Sequence, residues 1–219
     1  MAITRIITPA VTDDAVTLAK MAPGTDGNLI TYDASGNPVA VATGSAGQVL
    51  TSAGAGAPPT FAAAGGITEA DQWRLSTNFN GDASPIASNL ERVDTGGQGL
   101  LGTGMSQSSG IFTFPSTGIW LVKFVHNYFI DGDNWYNQAR IAVTTNNSSY
   151  TTVAQSNNWA HNENVAVYVS TYCESIIDVQ NTTNVKVRFE VSIEDNNATT
   201  DGDNNVNKTY FTFIRLGDT

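Results

Sequence analysis

The sequence predicts an all-β protein, and three observations support this prediction. Apolar residues recur at every second position in several segments, most cleanly in Val185–Ile193, where charged side chains and one Ser occupy the alternate positions. Turns rich in Asn, Gly and Asp separate these segments. Only 14% of the 219 residues are charged, whereas exposed helices usually carry many Glu and Lys. Residues 67–219 are therefore expected to form a two-sheet β sandwich.

The strands of this sandwich follow one another along the second part of the chain. Ile119–Phe129 is the longest apolar segment and has almost no polar alternation. Both faces of this central strand are expected to be buried, one in the sandwich and one near another subunit. The other predicted strands share shorter apolar patterns: Gln72–Phe79, Ile86–Val93, Ala139–Thr145, Tyr150–Gln155, Val165–Val179, Val185–Ile193 and Thr209–Leu216.

The composition changes near residue 66. Residues 1–66 contain few charges, no Trp and many Gly, Ala, Thr and Pro, whereas residues 67–219 contain all four Trp. The sequence therefore predicts an extended N-terminal stalk over residues 1–66 and a folded domain over residues 67–219.

A short helix is predicted at Thr12–Met21 in the stalk. Thr12 suits the N-cap, acidic residues fill the first turn, and Pro23 and Gly24 end the helix. So short a helix needs a partner to be stable. Its apolar side chains are expected to dock to a larger particle: Val16, Leu18 and Met21.

An internal repeat follows the predicted helix. Gly27–Pro38 aligns with Gly47–Pro58 at an offset of 20 residues, with Gly, an apolar pair, Thr, Gly and Pro in register. Each unit is predicted to form a short strand, a turn that contains Gly, and an extended segment that contains Pro. Two units have too few apolar residues to form a core, but three chains wound together would supply the missing neighbours. The alternative is a flexible linker.

The charge balance limits the partners of the protein. The net charge is −10, which argues against nucleic acid and anionic membranes, because both require a basic surface. No segment is long and apolar enough for a transmembrane helix. The single cysteine, Cys173, excludes an intrachain disulfide and is expected to be a small buried side chain.

The sequence gives no indication of an enzyme. His126 and His161 lie far apart and neither belongs to a nucleophile motif. A pair of Cys173 with His126 is conceivable, but both residues lie in strand patterns, where packing is the expected role. No pattern places two carboxylates together for glycoside hydrolysis. No catalytic residue is therefore predicted.

Two acidic turns are candidate metal sites. Asp131 and Asp133 share one turn, and Asp201 and Asp203 share the other. Oxygen donors of this kind suit Ca²⁺, and symmetric copies could converge at an axis. The alternative is a pair of solvated turns in which Asp and Gly provide the turn geometry. Calcium is the only cofactor that the sequence suggests.

Aromatic residues next to amides form a third candidate site. Trp135 and Tyr136 lie between Asn residues, Trp159 follows Asn158, and both segments are predicted to be loops. An exposed ring flanked by amides can stack on a sugar and bond its hydroxyls. The same residues could fill a subunit interface, where Trp and Tyr are enriched, and this second interpretation is favoured.

Two segments of the second part resemble the signature of C1q/TNF-like domains. Gly110–Val122 resembles the Phe-x-x-Pro-x-x-Gly-aromatic segment that leads into a central strand, and Thr209–Gly217 is similar to the last strand. The resemblance covers residues 67–219 in strand order. It implies a jelly-roll head that forms a compact homotrimer and is used for binding rather than catalysis.

Two segments of the first part resemble those common in tailed-phage fibre and other virion proteins: Thr8–Asp13 and Gly47–Phe61. Together, the resemblances imply a bacteriophage tail fibre, head fibre or capsid decoration that is located in the virion. Residues 1–66 would then attach to other virion proteins. The alternative is a receptor-binding module that recognises a host surface glycan.

Overall fold

The computed structural model describes residues 24–130, 134–161, 165–194 and 196–219. Every secondary-structure element in these ranges is a strand, which confirms the all-β prediction for the described part of the chain. None of its residues forms a helix of the length and apolarity that a membrane crossing needs. Several predictions fall outside the described residues: the helix Thr12–Met21, its docking residues Val16, Leu18 and Met21, and the calcium ligands Asp131 and Asp133.

The chain divides into two compact units, Met1–Gly65 and Gly66–Thr219. In the first unit, each repeat begins a β-hairpin. Strand β1 (Leu29–Tyr32) pairs with β2 (Pro38–Val41), and β3 (Gln48–Thr51) pairs with β4 (Thr60–Ala63). The backbone explains why glycine recurs at the start of each repeat: Gly27 and Gly47 have φ angles of 77° and 86°, which side-chain-bearing residues rarely adopt.

The apolar side chains of the two hairpins face solvent. The exposed fraction of Leu29, Ile30, Tyr32, Val49 and Leu50 lies between 41% and 66%. Each hairpin has only two strands, too few to cover both of its faces. Within the described residues of a single copy, these five side chains of the repeats are therefore left uncovered.

The second unit, called the head below, contains the other twelve of the described strands. In chain order they are β5 (Ala70–Leu75), β6 (Phe79–Asn80), β7 (Leu90–Arg92), β8 (Ser106–Ser108), β9 (Ile111–Thr113), β10 (Gly118–Ile130), β11 (Asn134–Thr144), β12 (Thr151–Ala160), β13 (Val167–Val179), β14 (Lys186–Ile193), β15 (Thr199–Thr200) and β16 (Tyr210–Gly217).

These strands form two antiparallel sheets. In sheet I, the order is β7-β5-β16-β10-β13, and the short β6 and β15 extend it beside the end of β10. Sheet II has the order β12-β11-β14-β9-β8. The last strand, β16, lies between β5 and β10. The chain crosses between the sheets from β9 to β10, from β10 to β11, from β12 to β13 and from β13 to β14. This strand order is that of a jelly roll, and the predicted β sandwich is confirmed.

Aromatic side chains from both sheets fill the space between them. Phe189 of sheet II stacks on Phe211 of sheet I with ring centroids 4.2 Å apart. Phe112 contacts Phe189 at 5.4 Å and Phe213 at 5.2 Å. Trp120 is 1% exposed and packs on a neighbouring Phe. Phe112 and Trp120 belong to the segment that resembles the C1q/TNF signature, so that segment has a core-forming role.

The central strand β10 has two different faces. Side chains at alternate positions, including Trp120, Phe124 and Tyr128, are fully buried in the sandwich. The positions between them, including Leu121 and Phe129, are only half-buried in a single chain. The sandwich therefore buries one face, and burial of the other by a second subunit stays a prediction.

Candidate functional site

The head has a base and a tip at opposite ends of its long strands. At the base, β10 begins beside the end of β16, with Ile119 opposite Gly217, and β5 begins with Ala70 opposite Ile214. At the tip, β10 ends at Ile130. Because β10 has 13 residues, the two ends lie roughly 40 Å apart. The start of β5 and the end of β16 therefore both lie at the base of the head.

Three aromatic residues meet at the tip. Strand β11 pairs Asn134 with Ala160 of β12 and next pairs Asn137 with Asn158, which leaves Trp135 and Tyr136 opposite Trp159 in a β-bulge. The exposed fractions are 73% for Trp135, 44% for Tyr136 and 65% for Trp159. These three residues, called the tip cluster below, are the ones that the sequence singled out.

The prediction that the tip-cluster residues lie in loops was wrong. All three are within β11 and β12. The strands extend further than the apolar patterns suggested because Asn and Ser occupy strand positions in β12. The backbone of the bulge is tied to the end of β14: the Trp135 N–H donates to Glu194 Oε2 at 2.6 Å, and the Glu194 N–H donates to the Tyr136 carbonyl at 3.1 Å. The rings are therefore exposed on a fixed backbone.

A row of polar side chains continues from the tip cluster along the outer surface of sheet II. Arg140 Nε donates to Gln155 Oε1 at 3.1 Å, and a terminal nitrogen of the same guanidinium donates to Gln138 Oε1. Gln155 Nε2 donates to Asn157 Oδ1 at 3.0 Å. We call these four residues the amide row. Sequence reasoning missed it, although Gln155, Asn157 and Trp159 show the period of two that places residues on one face of a strand.

A buried polar layer lies inside the sandwich below the tip. His126 Nε2 lies 3.0 Å from Thr200 Oγ1, and His126 Nδ1 lies 3.2 Å from Asn137 Nδ2. Asn137 also donates to Asn158 Oδ1 at 3.0 Å. Burial lowers the pKa of His126 to about 3, so the ring is neutral at pH 7. This histidine packs and hydrogen-bonds within the sandwich, which was its expected role.

Cys173 is buried and has no catalytic geometry. Its Sγ lies 3.5 Å from the Ala139 carbonyl oxygen, which accepts its hydrogen bond. Burial raises the pKa of the thiol to about 12, so it stays protonated at pH 7. A protonated, enclosed thiol is a poor nucleophile, and Cys173 serves as the small buried side chain that the sequence suggested.

The two described calcium candidates have protein partners. Asp201 forms an ion pair with Lys208 at 3.1 Å. Asp203 Oδ1 accepts the N–H groups of Asn205 at 2.7 Å and Val206 at 3.0 Å, and these bonds lower the pKa of its carboxyl. Within the described ranges, no three His, Cys, Asp or Glu side chains come together as metal ligands. Calcium binding therefore stays a prediction.

Sheet I carries an apolar patch on its outer surface. Tyr168, Tyr172 and Ile176 of β13 are 71%, 60% and 65% exposed. In register, Ile176 lies opposite Leu121 of β10, which lies opposite Ile214 of β16. These residues form the sheet I patch, together with Phe129, whose ring lies 5.2 Å from Tyr168, and Val125, which lies opposite Tyr172.

A depression adjoins the sheet I patch near the base. It has a volume of about 380 Å³ and its lining includes Leu100, Leu101 and Ile214. Leu100 and Leu101 are 40% and 48% exposed. An apolar side chain from another molecule would find apolar neighbours there.

Comparison with known proteins gives matches in structure but none in sequence. No protein-family model matches the chain, and no curated protein matches it in sequence. Solved structures that match include the crystal structure of murine APRIL, which is 12% identical, with a TM-score of 0.45, over 68% of this chain and 98% of that one. The head is a jelly-roll β sandwich. That assignment rests on its own strand order rather than on a similarity of this extent.

Proposed function

We propose that this protein is a non-enzymatic structural component of a bacteriophage virion, either a fibre or a capsid decoration. It forms a homotrimer, attaches to other virion proteins through residues 1–66, and displays residues 67–219 as its head. The observation that carries the proposal is the uncovered apolar surface in both units of the single chain.

The sheet I patch supports assembly of the head. It joins large exposed side chains of β13 to half-buried ones of β10 and β16 in apolar rows that alternate with polar pairs such as Lys123 and Glu174. Large apolar side chains exposed together in this way are typical of an interaction site. The depression shares Ile214 with the patch and continues it toward Leu100 and Leu101. Copies of one chain close into a ring when the rotation between neighbours permits it, and the resemblance to C1q/TNF-like domains makes three the expected number.

The hairpins of the first unit support a multi-chain stalk. Five of their large apolar side chains are at least 41% exposed, and two two-stranded sheets offer nothing to cover them. Parallel copies of the repeat would bury these side chains against one another. The Gly47–Phe61 segment, which contains β3 and the start of β4, is also the segment that resembles virion proteins.

A second candidate function is recognition of a host surface glycan by the head. The tip cluster favours it, because two Trp and one Tyr are exposed together on a fixed backbone. The tip cluster also lies in sheet II, whereas the sheet I patch lies in the other sheet. Assembly through the sheet I patch therefore does not require the tip cluster, and its rings stay available for stacking on sugars.

Immunogold labelling of purified particles tests the first function. Antibodies raised against residues 67–219 should label intact virions of the phage that encodes the protein. Label on the capsid identifies a decoration or head fibre, and label on the tail identifies a tail fibre. Unlabelled virions, with the protein found only in the infected-cell lysate, would overturn the proposal.

A further inference from the structure

The amide row extends the tip cluster into an elongated polar surface. Gln155, Asn157 and Trp159 occupy alternate positions of β12, and Asn157 and Gln155 lie opposite Gln138 and Arg140 of β11. Gln155 and Trp159 are four residue steps apart along an extended strand, a distance of about 13 Å. The surface that they share is therefore longer than a single monosaccharide ring.

Hydrogen bonds fix the amide groups of this surface before any ligand arrives. Arg140 bonds the side-chain oxygens of both Gln138 and Gln155, and Gln155 in turn bonds Asn157. A side-chain amide has two donor hydrogens and an acceptor oxygen with two lone pairs, so these bonds use only part of its capacity. Fixed groups lose little conformational entropy when a ligand binds.

The charge of the surface selects the ligand. The guanidinium of Arg140 is engaged by two amide oxygens, and the chain as a whole carries a net charge of −10. An anionic sugar, phosphate or sulfate would be repelled by that net charge. A neutral ligand that has hydroxyl groups and a face able to stack on indole avoids this cost.

We infer that this surface binds a neutral, unbranched glycan that lies along β12, with one sugar ring on Trp159 and the next units over Asn157, Gln138 and Gln155. The inference rests on the second candidate function and adds to it the direction, the length and the charge class of the ligand. Trp159 provides the stacking surface, and the amide row provides hydrogen bonds to hydroxyls.

The test is a titration of the full chain with neutral gluco-, galacto- and manno-oligosaccharides of one to six units, followed by tryptophan fluorescence. Affinity for the preferred series should rise with length beyond one unit. Trp159→Ala should weaken binding at least tenfold. Asn157→Ala and Gln155→Ala should each weaken it about fivefold and remove part of the length dependence, because one hydrogen bond is lost in each.

The matched control is Gln180→Ala, which removes an exposed amide just beyond the base end of β13 and should leave binding unchanged. Thermal melting of each variant verifies that the head is folded. If Trp159→Ala abolishes binding while both amide-row variants bind like the wild type, the inference is wrong and glycan recognition by the tip cluster stands. If no oligosaccharide binds, the inference and the second candidate function both fail. Stronger binding of a matched sialylated series would overturn the assignment of a neutral ligand.

Discussion

Replacing Ile176 by Asp is expected to prevent trimer formation without unfolding the head. Ile176 is 65% exposed on β13 and lies opposite Leu121 in the middle of the sheet I patch. Because its side chain contributes little to the core of its own chain, the substitution should leave the sandwich intact. In the trimer, the same side chain would be covered by a neighbour.

The magnitude follows from the exposed fraction of the side chain. Complete burial of an Ile side chain is worth about 1.5–3 kcal/mol, so covering the exposed 65% contributes about 1–2 kcal/mol in each copy. Three copies contribute about 3–6 kcal/mol, which weakens the trimer by roughly two to four orders of magnitude in its association constant. An unpaired carboxylate at the interface adds a desolvation cost in the same direction.

Light scattering coupled to size-exclusion chromatography, at several micromolar concentrations, measures the effect. The wild type should elute as a trimer and Ile176→Asp as a monomer with an unchanged β circular dichroism spectrum. The control is Val153→Asp, which places the same charge at a 47% exposed apolar position in β12 of sheet II. A monomeric wild type, or a trimer that Ile176→Asp leaves intact, would refute the assignment of the interface.

Three further predictions concern the stalk, metal and pH. Deleting residues 1–66 should leave a soluble β-rich trimer that no longer enters virions, and Leu18→Asp combined with Met21→Asp should have the same effect; normal occupancy of the truncated head on particles would contradict this. If the four candidate aspartates bind calcium, a chelator should lower the melting temperature and added calcium should restore it. An unchanged melting temperature in both experiments would show that the two acidic segments are ordinary turns that bind no calcium. Burial lowers the pKa of His126 to about 3 in the folded chain, so between pH 7 and pH 5 this residue is protonated in the unfolded chain and stays neutral in the folded one. The free energy of unfolding should therefore fall by about 2 kcal/mol between pH 7 and pH 5. Denaturant unfolding at both pH values measures this, and an equal loss in His126→Gln would show that another group is responsible.

Most of the head could be predicted from local patterns. Alternation in Val185–Ile193 corresponds to β14, whose apolar residues are buried between the sheets. The long apolar segment at Ile119–Phe129 corresponds to β10, the strand at the centre of sheet I. These predictions succeed because the period of side chains along a strand depends on backbone geometry alone.

The polar strands could not be predicted with the same accuracy. The second half of β12, beyond the predicted strand Tyr150–Gln155, carries Ser and Asn at positions that neither apolar alternation nor β propensity marks as a strand. It pairs because β11 beside it is held by β14. The bulge that places Trp135 and Tyr136 opposite Trp159 depends on the register between β11 and β12. Register is a relation between two segments, so neither segment encodes it alone.

The sequence by itself determined the fold class, the change of composition near residue 66, the glycine repeat and the choice of Trp135, Tyr136 and Trp159 as exposed aromatic candidates. Tertiary structure alone decided which side chains share a surface. It joined residues from β10, β13 and β16 in the sheet I patch, and residues from β11 and β12 in the amide row. The physical reason is that a strand fixes only the direction of its own side chains, whereas a binding surface requires several strands in one register.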